Sequence, residues 1–258
     1  MSEIAKAALL GAIQGLTEFL PVSSSGHLIA AKTIAGYEAS LAFDVFLHLA
    51  TLLAVIIYFR RDLWSIARSA DLVPVGLRIA LGTLPAVALA LAFHSWRERI
   101  DPWFVVLGWS ISAVYLNLTR GRDGSWRHRE LPVLRALLVG GTQGLAAILP
   151  GLSRSGCSIA SGLWLGLRRG EAARFSFLLS IPIMAGAGIM EGKKLVGAEI
   201  AGVPGGWSAL TVAFAAAFLT GMAAIFLLLR VVAGNRFHRF GWYNLGAASA
   251  FALYLALH

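Results

Sequence analysis

The chain contains few of the residues that stabilise disulfide-rich proteins and metal clusters. It has 258 residues and a single cysteine, Cys157, which excludes an intrachain disulfide and a cysteine-based metal framework. Acidic residues are also scarce, with 13 Asp and Glu against 22 Lys and Arg, and the formal net charge is +9. Charged residues of both signs make up only 14% of the chain. Because soluble domains carry about 25% charged residues, this composition argues against a soluble protein.

Apolar residues dominate the composition. They form 58% of the chain, and the mean hydropathy is +0.74. Apolar runs recur at roughly the 17–25 residues that a helix needs to cross a bilayer. The predicted spans are 41–59, 75–93, 103–119, 173–191, 208–230 and 240–257. We therefore expect an all-α integral membrane protein with about six full spans.

The excess of basic residues follows the loops between these spans. Arginines concentrate in the loops 60–73, 120–130, 167–172 and 231–239. The alternate loops carry only Arg97, Arg99, Lys193 and Lys194. The Arg-rich loops are therefore expected on the cytoplasmic side, against anionic membrane lipid. We expect no nucleic-acid partner, although a net positive charge can indicate one in soluble proteins.

The second half of the chain repeats the first. Residues 14–24 read QGLTEFLPVSS and residues 143–153 read QGLAAILPGLS, at a constant offset of 129. This alignment pairs Ser24 with Ser153 and places one extra residue of the second copy directly after them. Paired apolar segments interrupted by Gly and Pro indicate a binding site in a membrane protein. Since the two copies carry different polar groups, we predict one composite site built from both.

The charges of the loops predict that the repeat is inverted. If 41–59 runs from outside to inside, the segment 1–40 begins and ends outside, and 131–166 begins and ends inside. Both segments contain breakers near their middle, at Pro21 and Pro150, so each is predicted to be a re-entrant helical hairpin. The expected organisation is a single membrane domain, 1–258, with repeat 1 at about 1–118 and repeat 2 at about 131–258.

The first hairpin carries a buried carboxylate and a serine cluster. An acidic side chain at membrane depth needs a cation, a proton or a metal ion as partner, so Glu18 is a candidate functional residue. It could instead pair only with Arg154 to hold the hairpins together. Gln14 lies on the same helical face. In the run SSSGH at 23–27, Ser24 is a candidate nucleophile and His27 its candidate base; the alternative is a serine-rich helix cap.

The second hairpin carries a run that is typical of an anion cradle rather than of a helix start, the alternative being a capped helix with a lipid-facing arginine. Its run SRSG at 153–156 combines hydroxyls, a guanidinium and a glycine, and the planar fork of Arg154 suits phosphate oxygens. Irregular backbone at membrane depth must be buried or line a wet cavity, so the two loops are expected to meet. The helices that leave the loops would then direct their N-termini at an anion. Supporting positions are expected at Thr17 and at Asp44 and His48, which are spaced i,i+4.

These motifs resemble a known family. Gln14-x-x-x-Glu18, with FLPVSSSGH at 19–27 and PGLSRSG at 150–156, is similar to the paired signature of undecaprenyl-diphosphate phosphatases, the bacterial bacitracin-resistance family. The similarity extends over essentially the full length, including FDVFLHLAT at 43–51 and FSFLLSIP at 175–182.

The resemblance implies removal of the terminal phosphate from a C55 isoprenoid diphosphate in the bacterial inner membrane. It also implies a site open toward the periplasm and a divalent cation, Mg2+ or Ca2+, at Glu18 and Gln14. The family motif allows Glu or Gln at its first position, so Gln14 leaves one carboxylate there. Cys157 replaces a common Ala.

The expected catalytic residues are Glu18, Ser24, His27 and Arg154. The expected phosphate-binding residues are Ser23, Ser25, Gly26, Ser153, Arg154, Ser155 and Gly156. Attack by Ser24 through a phosphoserine and direct attack by water both stay open. So does a rival class, a lipid-phosphate flippase or secondary transporter using the same site. The sequence is compatible with a homodimer.

Overall fold

The computed structural model describes residues 2–35, 41–93, 101–192 and 205–258. In these ranges the chain is helical, with one isolated β-bridge between Trp126 and Leu167. The helices are α1 Glu3–Phe19, α2 Ser24–Ala35, α3 Leu41–Tyr58, α4 Arg60–Ala67, α5 Leu72–Ala92, α6 Trp103–Asn117, α7 Val133–Ile148, α8 Arg154–Trp164, α9 Arg169–Gly192, α10 Gly206–Ala233 and α11 Phe240–Leu257, with a 3-10 helix at Phe237–Arg239. The predicted all-α class is confirmed.

Several helices have the length and composition of membrane spans. Three are long and apolar enough to cross a bilayer, at Leu72–Ala92, Arg169–Met190 and Gly206–Ala233. A fourth candidate is the pair Phe43–Tyr58 and Arg60–Ala67, bent by 63°. Helix α6 is apolar but has only 15 residues, so the total of six spans stays a prediction. The protein is an integral membrane protein.

The first helix of each hairpin packs mainly against a helix of the other copy. Helix α1 of the first copy packs mainly on α10 of the second, whereas α7 of the second copy packs mainly on α5 of the first. Both contacts depend on glycine, because a Cβ at Gly11 would collide with the backbone of Ala213, and one at Gly140 with the backbone of Gly82. Small residues at helix contacts let two backbones approach closely in a membrane.

Three of the Arg-rich loops, 60–73, 120–130 and 167–172, lie at one end of the helix bundle. Ion pairs join them or the helices beside them: Arg129–Asp71 at 2.5 Å, Arg174–Asp62 at 3.2 Å and Arg169–Asp123 at 3.7 Å. This shared end agrees with the prediction that these loops occupy the same side of the membrane. The basic residues predicted on the opposite side, Arg97, Arg99, Lys193 and Lys194, lie outside the described residues.

Candidate active site

The loops that interrupt the two hairpins cap the following helices in the same way. The Ser23 Oγ accepts a hydrogen bond from the Gly26 N–H at 3.3 Å, and the Ser153 Oγ accepts one from the Gly156 N–H at 3.1 Å. Such a bond satisfies one of the unpaired donors at a helix start. Ser23 and Ser153 are therefore structural equivalents, and both are buried.

This equivalence corrects the alignment of the two copies. Ser24 corresponds to Arg154, not to Ser153, because the extra residue of the second copy precedes the capping serine. The second loop includes Gly151, with a left-handed φ of 85°, a conformation that glycine adopts without strain. The shorter first loop instead places Ser23 itself at a left-handed φ of 68°.

One carboxylate lies between these equivalent residues. The Ser24 Oγ donates a hydrogen bond to Glu18 Oε2 at 2.7 Å, and the Arg154 Nη2 donates one to Glu18 Oε1 at 2.5 Å. The Gln14 Nε2 also donates to Glu18 Oε2, at 3.1 Å. Glu18 is only 8% exposed. Since the sequence places Ala147 at the equivalent position of the second copy, the two copies form one asymmetric site.

Two polar atoms beside this carboxylate have unused hydrogen-bonding capacity. Gln14 Oε1 and Arg154 Nη1 are buried and have no hydrogen-bond partner among the described residues. Buried polar groups are nearly always paired with protein, water or ligand. One free acceptor and one free cationic donor, both beside Glu18, favour a ligand that carries anionic oxygen and an associated cation.

His27 does not lie against Ser24 in the way that the sequence prediction requires. Its Nδ1 bonds the Ser23 carbonyl oxygen at 2.8 Å, and its Nε2 lies 2.7 Å from Tyr243 Oη. A carbonyl only accepts, so Nδ1 carries a proton, and in the neutral ring Nε2 accepts from the tyrosine hydroxyl. The ring also stacks on Tyr243 and packs edge-on against Trp109. The proton donor of Ser24 is directed at Glu18 instead.

The residues predicted to bind phosphate meet where the two loops touch. The Ser155 Oγ donates to the Leu20 carbonyl at 3.2 Å, which joins the second loop to the first. A Cβ at Gly26 would lie 3.1 Å from the Gly151 Cα, and one at Gly156 would lie 3.3 Å from the Pro21 Cβ. The loops thus approach closely at both glycines.

The hydroxyls of this group differ in how available they are. Those of Ser23 and Ser153 act as helix caps, and Ser155 bonds to Leu20 as described above. Ser24 and Ser25 are partly exposed, whereas the other three serines are buried. The exposed pair is therefore better placed than the buried serines to meet a ligand.

The predicted supporting residues use backbone as well as side-chain contacts. The Thr17 Oγ1 donates to the Ile13 carbonyl at 2.6 Å. Asp44 forms an ion pair with Lys32 at 2.8 Å, and the His48 Nδ1 bonds the backbone oxygen of Asp44 at 2.8 Å. The Asp44 carboxylate therefore binds Lys32, while His48 bonds the backbone of its own helix.

Sequence reasoning missed the side chains that hold the first loop. Three consecutive carbonyls, those of residues 21–23, each accept a side-chain hydrogen bond. The donors are Asn244 Nδ2 to Pro21 O at 2.8 Å, Trp109 Nε1 to Val22 O at 2.8 Å, and His27 Nδ1 to Ser23 O. Asn244 and Trp109 lie far away in the chain and belong to no motif, so the sequence carried no signal for them.

The oxygen atoms of the site fit a cation that is bound jointly by the protein and by substrate phosphates. They do not fit a cation that is surrounded by protein ligands alone. No group of three or more His, Cys, Asp and Glu side chains that could hold a metal ion occurs within the described residues. Glu18 and the free Gln14 Oε1 nevertheless offer a carboxylate and an amide oxygen. Mg2+ is often bound by one or two carboxylates together with water and substrate phosphates, so these two residues fit that mode of binding.

Fold and site together define a helical membrane protein with a duplicated scaffold, in which a hydroxyl and a guanidinium converge on a buried carboxylate. The chain belongs to the family described as bacitracin resistance protein BacA, which it matches over residues 7–250.

Similar proteins cover nearly the whole chain. The undecaprenyl-diphosphatase of Rubrobacter xylanophilus is 39% identical over 277 aligned positions, which cover 100% of both chains. That of Korarchaeum cryptofilum is 40% identical over 258 positions, covering 93% of this chain and 95% of the relative. That of Geobacter sulfurreducens is 38% identical over 277 positions, covering 98% of each chain.

Proposed function

We propose that this protein hydrolyses undecaprenyl diphosphate to undecaprenyl phosphate, the lipid carrier used in cell-wall synthesis. The observation that carries the proposal is the contact of Ser24 and Arg154 with the two oxygens of Glu18. This contact supports the proposal because a hydroxyl, a carboxylate and a guanidinium that lie together are the groups needed for a nucleophile, a proton acceptor and a phosphate-binding cation. The reaction is the one that the names of the relatives state.

In the covalent route, Ser24 attacks the terminal phosphorus in line with the bridging oxygen. The Ser24 hydroxyl already donates to Glu18 Oε2 at 2.7 Å, so Glu18 takes the proton as the Oγ–P bond forms. The bond from the bridging oxygen to that phosphorus breaks, Glu18 passes its proton to this oxygen, and undecaprenyl phosphate leaves. Glu18, ionised again, then accepts a proton from water as the water attacks the phosphoserine. The Oγ–P bond breaks, Glu18 returns this proton to the Ser24 Oγ, and inorganic phosphate departs.

Groups of the second copy stabilise the negative charge that develops on the phosphate oxygens. Arg154 Nη1 is buried and unpaired among the described residues, so it can donate to phosphate while Nη2 holds Glu18. The N-termini of α2 and α8 begin at Ser24 and Arg154, and helix N-termini favour anions. Preorganised donors of this kind supply most of the catalysis in phosphoryl transfer.

A route without a covalent intermediate uses the same groups. Glu18 then accepts the proton of a water molecule that attacks the phosphorus directly, and Ser24 orients the water or the phosphate. The contacts of His27 with Ser23 and Tyr243 favour Glu18 over His27 as the base in either route. His27 instead supports the loop that precedes Ser24.

We also propose that Glu18 and Gln14 hold a divalent cation, Mg2+ or Ca2+, together with oxygens of the diphosphate. The free Gln14 Oε1 beside the carboxylate supports this assignment. When bound, such an ion neutralises the negative charge that develops on the phosphate oxygens. Arg154, through its free Nη1, would hold the other side of the same phosphate.

The membrane arrangement that we propose contains two re-entrant hairpins of opposite orientation and six full spans. The Arg168 N–H bonds the Trp126 carbonyl at 3.0 Å, so the chain enters and leaves the second hairpin at one end of the bundle. We propose that the protein lies in the bacterial inner membrane and that its site is open to the periplasm. We propose a homodimer as the assembly to test.

The function is tested by phosphate release from a C55 isoprenyl diphosphate by protein purified in detergent, with Mg2+, Ca2+ or chelator. Wild type is compared with Ser24→Ala, Arg154→Ala and the control Ser249→Ala, whose hydroxyl lies on α11 and bonds only Leu245 O. We expect release by wild type and by the control, and none by Arg154→Ala.

The Ser24→Ala result separates the two routes. Loss of release supports the phosphoserine, whereas near-normal release supports direct attack by water. No release by folded wild type under any metal condition would reject the phosphatase, and a lipid-phosphate transporter would then be tested by flux in vesicles.

A further inference from the structure

Helix α6 contacts both loops of the site from one face. On the first loop, the Trp109 Nε1–H donates to the Val22 carbonyl at 2.8 Å. On the second loop, the Ser112 Oγ donates to the Gly151 carbonyl at 3.3 Å and accepts from the Ser153 N–H at 3.0 Å. Residues spaced i,i+3 lie on the same side of a helix, so one helical face binds both loops.

The same helix is shaped to let the second loop approach. A Cβ at Gly108 would lie 2.5 Å from the Leu152 N and 2.6 Å from the Gly151 C, and it would also collide with the Pro150 O. The absent side chain therefore leaves room for loop backbone directly beside Trp109. Trp109 and Ser112 are both 2% exposed, so their hydrogen bonds are shielded from water.

We infer that α6 holds the two loops in a fixed position relative to one another, and that Trp109 and Ser112 are positioning residues for the reaction. Ser24 is the first residue after the first loop, and Arg154 is the first residue after the second loop. Both must reach Glu18, from opposite sides. A shift of either loop along α6 changes the distance between the nucleophile and the phosphate-binding cation. This inference rests on the proposed phosphatase function.

The consequence is a loss of catalytic rate rather than of substrate binding. A misplacement of about 1 Å can lower a rate about a hundredfold, and interactions formed only in the transition state change kcat more than KM. For Ser112→Ala and for Trp109→Phe we expect kcat to fall about tenfold or more, with KM within about twofold of wild type. Trp109→Phe keeps a ring against His27 and removes the indole donor.

The matched control is Ser110→Ala. Ser110 lies on the same helix, and its hydroxyl donates to the Val106 carbonyl of that helix at 2.8 Å. The Ser110→Ala variant removes a serine hydroxyl, as Ser112→Ala does, but it leaves the contacts between α6 and the two loops in place. The kcat and KM for C55 isoprenyl diphosphate are measured for each variant well below its melting temperature in detergent, so that a loss of stability does not appear as a loss of rate.

A double variant tests whether the two residues act through the same displacement. Effects of residues that share one mechanism are not additive, so Trp109→Phe combined with Ser112→Ala should lose less than the product of the single losses. Ser112→Ala with the kcat of Ser110→Ala, or a double variant that shows the full product, would overturn the inference. Wild type without activity would instead reject the proposed function, so the two failures are distinguishable.

Discussion

At the scale of the residue, Glu18 accepts hydrogen bonds from donors on both copies of the repeat. In the proposed reaction it removes a proton, which glutamine cannot do, although glutamine has nearly the same size. We expect Glu18→Gln to lower kcat roughly 10²- to 10⁴-fold, the usual contribution of a general base. Phosphate release measures the effect, and Glu3→Gln on the same helix is the control, since Glu3 pairs with Lys6 near the surface. Equal activity in the two variants would remove Glu18 from the mechanism.

Backbone strain at Ser23 gives a second prediction at this scale. The left-handed conformation costs roughly 1–2 kcal/mol in a residue with a Cβ, and loss of a serine cap costs about 0.5–2 kcal/mol. Ser23→Ala loses the cap and keeps the strain, whereas Ser23→Gly loses the cap and relieves the strain. We therefore expect Ser23→Gly to melt at a higher temperature in detergent than Ser23→Ala.

The equivalent serine of the second copy is the control for this comparison. Ser153 makes the same cap but has a φ of −80°, so glycine relieves no strain there. Because glycine is also a better N-cap than alanine, Ser153→Gly should exceed Ser153→Ala in stability, but by less than Ser23→Gly exceeds Ser23→Ala. If glycine raised stability over alanine at both positions alike, strain at Ser23 would not be the cause.

At the scale of the element, the packing of each hairpin against a helix of the other copy depends on which face of the helix its glycines occupy. On α7, a Cβ at Gly140 would collide with the backbone of α5, while one at Gly141 would meet nothing within 4 Å. Gly140→Ala should destabilise the protein by about 1–3 kcal/mol through overpacking. Gly141→Ala should be neutral or slightly stabilising, because alanine favours a helix. Melting in detergent measures both variants, and equal behaviour would contradict the packing model.

The helices and their breaks could be predicted from the sequence because periodicity and the breakers at Pro21 and Pro150 are local signals. The sequence also singles out Glu18, Ser24 and Arg154, because polar residues in apolar segments are conspicuous, and the structure brings these three side chains together. The position of His27 could not be predicted. Its spacing from Ser24 allows a contact, but Tyr243 on a distant helix donates a hydrogen bond to its ring, Trp109 packs against the ring, and no local pattern encodes either contact. The error in pairing Ser24 with Ser153 has a similar origin, because only the caps reveal where the loop lengthens.

At the scale of the whole molecule, the inverted arrangement makes a prediction about sides of the membrane. In a Cys157→Ala background, single cysteines replace exposed residues: Ser2→Cys before the first hairpin, Asp101→Cys before α6, Arg127→Cys before the second hairpin and Arg168→Cys after it. In intact cells, a membrane-impermeant maleimide should label the first two and spare the last two. Lysis should make all four reactive.

The pairs of reporters separate the hairpins from ordinary spans. If α7 and α8 together crossed the membrane, Arg127→Cys and Arg168→Cys would label from opposite sides, which the contact between Trp126 and Arg168 disfavours. If the first hairpin crossed, Ser2→Cys would react like Arg127→Cys. Labelling of Ser2→Cys with Asp101→Cys, and protection of Arg127→Cys with Arg168→Cys, requires that both loops turn back inside the bilayer from opposite faces.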